Sequence, residues 1–143
     1  MKTNFLLLFT ISVITSCTTY YIPVSSFKEQ FAGVDSTKLI EVKVQGPYSE
    51  RYHYLAAPIA TIQCVDKKGN PHQLTNSPSL ETRFTYGNKN KRTIFYFDRI
   101  YVSSNAVIGV QSRFIESIRQ SIPLDSITKI EIQDGRKKFK YVK

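Results

Sequence analysis

From Lys38 to the last residue, hydrophobic and polar positions alternate in short runs rich in Ile, Val, Tyr and Phe. A period of two with β-branched and aromatic residues is the signature of strands buried on one face. The pattern predicts strands over 39–45, 52–55, 59–65, 72–74, 82–86, 93–97, 99–102, 106–111, 117–122, 129–133 and 138–142. Turn-forming residues separate several of them, among them Lys67-Lys68-Gly69-Asn70, Gly87-Asn88-Lys89-Asn90, Ser103-Ser104-Asn105 and Asp134-Gly135. Upstream the period changes. Ser26-Phe27-Lys28-Glu29 has the form of a capping box, and Phe27 and Phe31 lie four apart on one helical face. One or two helical turns are expected over 27–32, closed by Gly33 at the C′ position. Residues 18–26, polar with a single proline, read as a short tether.

Two stretches allow more than one arrangement. Phe114, Ile115, Ile118 and Ile122 have helical spacing, yet 117–122 can equally be a strand ended by Pro123, and the neighbouring strands favour that reading. At the C-terminus, a four-residue loop over 134–137 would pair 129–133 with 138–142 as a hairpin. Ile132 would then face Phe139, and Ile130 would face Tyr141. The whole pattern implies one all-β domain with minor α, an antiparallel sheet, barrel-like or a sandwich.

Residues 5–14 depart from this pattern altogether: they form an uncharged apolar run after a single basic residue, Lys2. Ten helical residues rise about 15 Å, half the hydrocarbon thickness of a bilayer, so the run is too short for a stable span. A basic start, a short apolar run and small residues after it read as a cleaved signal peptide. The run closes in Ile14-Thr15-Ser16-Cys17. This resembles the lipobox of bacterial lipoproteins, in which the cysteine thiol receives a diacylglycerol, the peptide is cut before it, and the new amine is acylated, with palmitate a common chain. The resemblance implies lipidation at Cys17 and a membrane anchor, since two chains already suffice for stable attachment. No aspartate follows Cys17, which by the same resemblance implies an outer-membrane address. An acidic export cluster is missing as well, which implies a domain facing the periplasm. The chain then divides into a signal peptide over 1–16, a lipidated cysteine, tether and short helix over 17–33, and a β domain over 34–143.

Composition adds little to the fold and something to the chemistry. The 143 residues, 41% hydrophobic and 22% charged, suit one packed domain and argue against disorder. Two cysteines exclude a disulfide scaffold and a four-cysteine zinc site. With Cys17 lipidated, Cys64 is the remaining thiol, and its place among Ile62, Gln63 and Val65 reads as a small core residue.

Neither His53 nor His72 belongs to a ligand pair, and there is no nucleophile elbow, phosphate loop or dinucleotide fingerprint. Asp98, Glu116, Asp125, Glu131 and Asp134 lie among basic neighbours, as surface ion pairs do. No catalytic residue, metal or cofactor is therefore expected.

The net charge of +9 falls to +8 without Lys2, and it is unevenly spread. Residues 17–87 hold seven Lys and Arg against six Asp and Glu, whereas 88–143 hold twelve against five. Lys89, Lys91 and Arg92 form one cluster; Arg136, Lys137, Lys138, Lys140 and Lys143 form another. Such asymmetry suits an anionic envelope ligand (a phospholipid headgroup, lipid A or a glycan) or, more simply, a solvated face with lysines guarding a strand edge. Phe84, Tyr86, Phe95, Tyr96, Phe97 and Tyr101 are interleaved among these charges. They sit on strands where alternate residues must be core, and export removes nucleic acid as a partner.

Two further likenesses concern short patterns. Asp35-Ser36-Thr37 and Asp125-Ser126-Ile127 resemble the O-glycosylation sequon of Bacteroidota envelope proteins, which implies Ser36 and Ser126 as acceptors. Asp98-x-Ile100-x-Val102, Val107-x-Gly109 and Ile122-Pro123-Leu124-x-x-Ile127-x-Lys129-Ile130-x-Ile132 resemble a pattern in small Bacteroidota lipoproteins, implying a β module with no catalytic residues to carry over. The expectation is an anchored, non-enzymatic interaction module of the envelope, with anion binding through the basic residues as the alternative.

Overall fold

Twelve strands and one short helix organise the chain in a computed structural model that describes residues 18–113, 115 and 117–143. The strands are β1 (Thr19–Tyr21), β2 (Ile40–Gln45), β3 (Arg51–Ala56), β4 (Thr61–Val65), β5 (Pro71–Thr75) and β6 (Leu80–Tyr86). They continue with β7 (Lys91–Tyr96), β8 (Tyr101–Ser103), β9 (Ala106–Val110), β10 (Arg119–Pro123), β11 (Ile127–Asp134) and β12 (Lys140–Val142); α1 is Val24–Gln30. They form a six-stranded sheet in the order β5-β4-β1-β11-β6-β7 and two three-stranded sheets, β10-β9-β8 and β12-β2-β3. The fold is all-β and sandwich-like, with no closed barrel among the described residues. No helix among them is long and apolar enough to cross a membrane.

Alternation builds the main core. Leu80, Thr82 and Phe84 of β6 point inward opposite Asp134, Ile132 and Ile130 of β11. In β11 the buried Ile127 and Ile130 are three apart, which a strand of strict period two would place on opposite faces. A register shift between Ile127 and Lys129 absorbs the extra residue, so both side chains reach the core. Phe27 and Phe31 of the helical turn close the layer: they stack at 4.5 Å, Phe27 meets Phe84 edge-on at 5.5 Å, and Phe31 meets Phe97 at 5.6 Å. On the other side the small sheet of β8, β9 and β10 approaches so closely that Gly109 lies against the Phe95 ring, where a Cβ would collide.

Five expectations need correction. Residues 19–21 are not a tether but β1, inserted between β4 and β11, with Tyr20 opposite Ile132 and Tyr21 opposite Val65. The helix starts after Pro23 rather than after Ser26; the Phe27 amide donates to the Pro23 carbonyl at 2.9 Å. Ser26 does not cap it: its Oγ accepts from Gln30 Nε2 at 2.9 Å. Gly33 has a left-handed φ of 76°, one residue beyond the C′ site that follows the C-cap Phe31. The C-terminal hairpin does not form. Both edges of β11 are occupied, by β1 and β6, so β12 pairs with β2 instead, Tyr141 opposite Val44. The chain leaves β11 through left-handed Arg136 and Lys138, with the Gly135 amide donating to the Ser79 carbonyl at 2.9 Å. Over 114–122 the strand reading holds for β10, which pairs with β9; residues 114 and 116 lie outside the described ones.

Candidate functional site

The sheet of β12, β2 and β3 has its own small core of Val44, Tyr54 and Ala56, and it meets the rest of the domain through a buried polar cluster. The 3-10 turn Phe97–Arg99 after β7 supplies Asp98 and Arg99. β3 supplies Tyr54, β12 supplies Tyr141, and the segment after β9 supplies Arg113. Asp98 is wholly buried, while Arg99 and Arg113 are each 4% exposed. Tyr54 donates to Asp98 Oδ2 at 2.5 Å and Tyr141 donates to the same oxygen at 3.0 Å. Arg113 Nη1 donates to the Tyr54 hydroxyl at 2.6 Å and lies 4.0 Å from Asp98 Oδ2. Aromatic rings cover the guanidinium: Arg113 sits 4.0 Å from the Tyr96 centroid and 4.7 Å from that of Phe139. Arg99 lies 4.7 Å from the Tyr54 ring. Asp98 Oδ1 and Arg113 Nε and Nη2 have no hydrogen-bond partner among the described residues. Ring faces take the place of acceptors for Arg113.

Burial pushes the Asp98 carboxyl above its ordinary range, against the pull of Arg113, of the Tyr54 and Tyr141 hydroxyls and of Arg99. The Tyr54 and Tyr141 hydroxyls are driven up in turn, first by burial and then by the Asp98 charge. Asp98, expected as a surface ion-pair residue, is instead fully buried. Chemically the cluster is a clamp. Asp98 Oδ2, the two tyrosine hydroxyls and Arg113 Nη1 are engaged with one another, and the Asp98 carbonyl also accepts from the Ala57 amide at 2.7 Å.

Beside the clamp, on the rim that Tyr141 shares, an apolar groove of about 410 Å³ runs between the small sheet and the loop that enters β4. Ile40, Val42, Ala57, Pro58 and Ile59 line it, and Ile40 is 50% exposed. Comparison with protein-family models, curated proteins and solved structures finds no match.

The residues singled out in the sequence are dispersed. Lys89, Lys91 and Arg92 are exposed at the turn that joins β6 to β7. Arg136, Lys137 and Lys138 lie at the opposite end of β6, beyond the Asp134–Leu80 pair. Seven strand residues, about 20 Å, separate the two groups, so they do not make one basic face. Lys137 is engaged: it pairs with Glu81 at 2.5 Å and donates to the Tyr96 hydroxyl at 3.2 Å. Lys140 is on the outer face of β12, opposite Gln45, and Lys143 is exposed at the end of the chain. Arg99 and Arg113, counted in the basic half, are interior.

Ser36 is exposed beside Asp35, whose carboxylate accepts from the Thr37 amide at 2.8 Å. The Ser126 hydroxyl donates to the Pro123 carbonyl at 2.7 Å, and Asp125 pairs with Lys28 at 3.1 Å. His53 precedes the clamp residue Tyr54 but is exposed and faces Glu41 at 3.6 Å; His72 is likewise exposed and faces Asp66 at 3.5 Å. Cys64 is buried with a free thiol that burial pushes up. Among the described residues no three His, Cys, Asp or Glu side chains gather as metal ligands. Cys17 lies outside the described residues.

Proposed function

We propose that the chain is an outer-membrane lipoprotein, anchored through acylated Cys17, whose β domain faces the periplasm as a non-enzymatic interaction module. One observation carries the reading: the uncharged apolar run over 5–14 ends in Ile14-Thr15-Ser16-Cys17, and the first strand of the folded sheet opens only two residues later, at Thr19. Address and domain abut at the residue that the lipobox resemblance marks for cleavage. The groove beside Tyr141 supports a binding role, because a half-exposed Ile40 over an apolar floor is surface that a partner can cover. Sealing of the chemistry-bearing side chains in the clamp leaves contact rather than turnover as the role this geometry favours.

The test is expression of the full chain and of Cys17→Ala in a Gram-negative host fed labelled palmitate. The parent should incorporate label and sediment with the outer membrane. Cys17→Ala should lose the label and either remain an uncleaved precursor or leave the membrane. Normal labelling and fractionation of Cys17→Ala would refute the reading.

A further inference from the structure

Insertion of β1 into the main sheet fixes where the anchor must be. Thr19 is opposite Gln133 of β11, which in turn is opposite Glu81 of β6. From Cys17 to Thr19 the chain has two residues, a reach of about 7 Å. The headgroup layer on each side of a bilayer is about 5–7 Å thick, half the difference between total and hydrocarbon thickness. A lipid on Cys17 therefore leaves no slack: the end of the sheet that carries Thr18 is held at the headgroups.

That same end adjoins the apolar groove. Thr18 lines a depression with Tyr20, Leu74, Leu80, Asp134 and Arg136. Thr75 lines both this depression and the groove of Ile40, Pro58 and Ile59, so the two surfaces adjoin. Ile40 is half exposed, and Arg136 stands exposed in the adjoining depression. Apolar side chains with a basic residue beside them suit the boundary between phosphate headgroups and acyl chains. The opposite end, with Lys89, Lys91 and Arg92, lies about 17 Å away along β6, five residues beyond Glu81.

We infer that the groove end of the domain, Ile40, Pro58 and Ile59 with Arg136 in the adjoining depression, docks on the phospholipid interface that holds the anchor, leaving the turn over 87–90 to face away from the membrane. This rests on the lipoprotein reading. It converts an anchored domain into one of fixed orientation, with its exposed apolar surface occupied by lipid.

The chain has no tryptophan, so one can be placed at each end as a clean reporter. The acylated full chain, as Ile40→Trp and separately as Asn88→Trp, is reconstituted into vesicles of phosphatidylethanolamine and phosphatidylglycerol brominated near the head of the acyl chain. Both positions are exposed, so neither change opens the core. The Ile40→Trp protein should show blue-shifted emission and lose most of it to bromine, whereas Asn88→Trp should keep its emission. Equal quenching of the two, or none at Ile40→Trp, in protein whose mass shows acylated Cys17 would overturn the docking while leaving the lipoprotein reading intact. A blue shift at Ile40→Trp that follows protein concentration in detergent, and not bromine, would overturn it in favour of contact between copies. Protein with unacylated Cys17 would overturn both.

Discussion

Replacement of Arg113 by methionine isolates the energetics of the clamp. Methionine is unbranched and apolar, so it can fill the slot between Tyr96 and Phe139 without steric strain. What it removes is the cation beside a carboxylate that has no access to solvent. Removing one partner of a buried ion pair costs about 3–5 kcal/mol, a large share of the 5–15 kcal/mol that holds a domain folded.

The pH dependence identifies the mechanism. Burial already holds the Asp98 carboxyl above its ordinary 3.8, and Arg113 is the strongest influence pulling it back. Without Arg113 the folded-state value climbs further while the unfolded value stays. Over the pH range between the two, the native state binds more protons than the unfolded one, so stability falls as pH rises. One proton sets the limit at about 1.4 kcal/mol per pH unit. At the acid end of the series, where burial favours the protonated carboxyl, the loss should shrink toward that of the cation–π contacts and the Tyr54 hydrogen bond, about 1–2 kcal/mol. The loss should grow as pH rises toward neutral. With a urea slope of about 2 kcal/mol/M, a 4 kcal/mol loss moves the unfolding midpoint down by about 2 M. Equilibrium urea unfolding followed by circular dichroism, at a series of pH values from 4 to 8, reads both numbers. Changing Asp98 to Asn in the same variant should flatten the pH dependence and recover part of the loss. A loss that is independent of pH, or a double variant no more stable than Arg113→Met at pH 7, would refute the clamp as described.

Two further outcomes follow from the packing and from the exposed carboxylates. Gly109→Ala drives a Cβ into the fully buried Phe95 ring and should lower stability by about 1–3 kcal/mol; Phe95→Leu in the same chain should relieve part of that, and simple additivity of the two losses in urea unfolding would argue against close packing there. Asp66 accepts from the Asn70 side chain and from the Asn70 and Lys68 amides, which hold its carboxyl down at about 2, so its stabilising contribution is present above 3.8 and disappears as pH falls from 3.8 toward 2. Carbon-detected NMR titration should place its midpoint near 2 and return it toward 3.8 in Asn70→Ala; an ordinary midpoint in the parent would contradict the geometry.

Strands were legible in the sequence because burial on one face forces a period of two, and β3, β4 and β6 carry that mark most clearly. Pairing was not. Ile130 and Ile132 present the same apolar face to any neighbour, and only the occupancy of both β11 edges decides that β12 goes to β2. β1 escaped because Thr19-Tyr20-Tyr21 is too short to show a period, and its two adjacent tyrosines look polar outside a sheet. The clamp left a fainter trace. Asp98-Arg99 interrupts an otherwise apolar stretch from Phe95 to Ile100, and a charged pair within such a run is a sign of a buried pair rather than a surface one. Its partners Tyr54, Arg113 and Tyr141 lie between 14 and 44 residues from Asp98 or Arg99, a distance that no local pattern bridges. The basic half shows the opposite failing: neighbours in sequence, Arg92 and Arg99 for instance, end up on a solvent-facing turn and in the interior.

The central claim is that this domain is lipid-anchored at Cys17, and the mass of the N-terminal peptide tests it most directly. Protein extracted from the outer membrane, digested and measured, should yield a first peptide that begins at Cys17 and carries the added mass of a diacylglyceryl thioether and an N-acyl chain. A peptide that retains residues from 1–16, or one that begins at an unmodified Cys17, would contradict it.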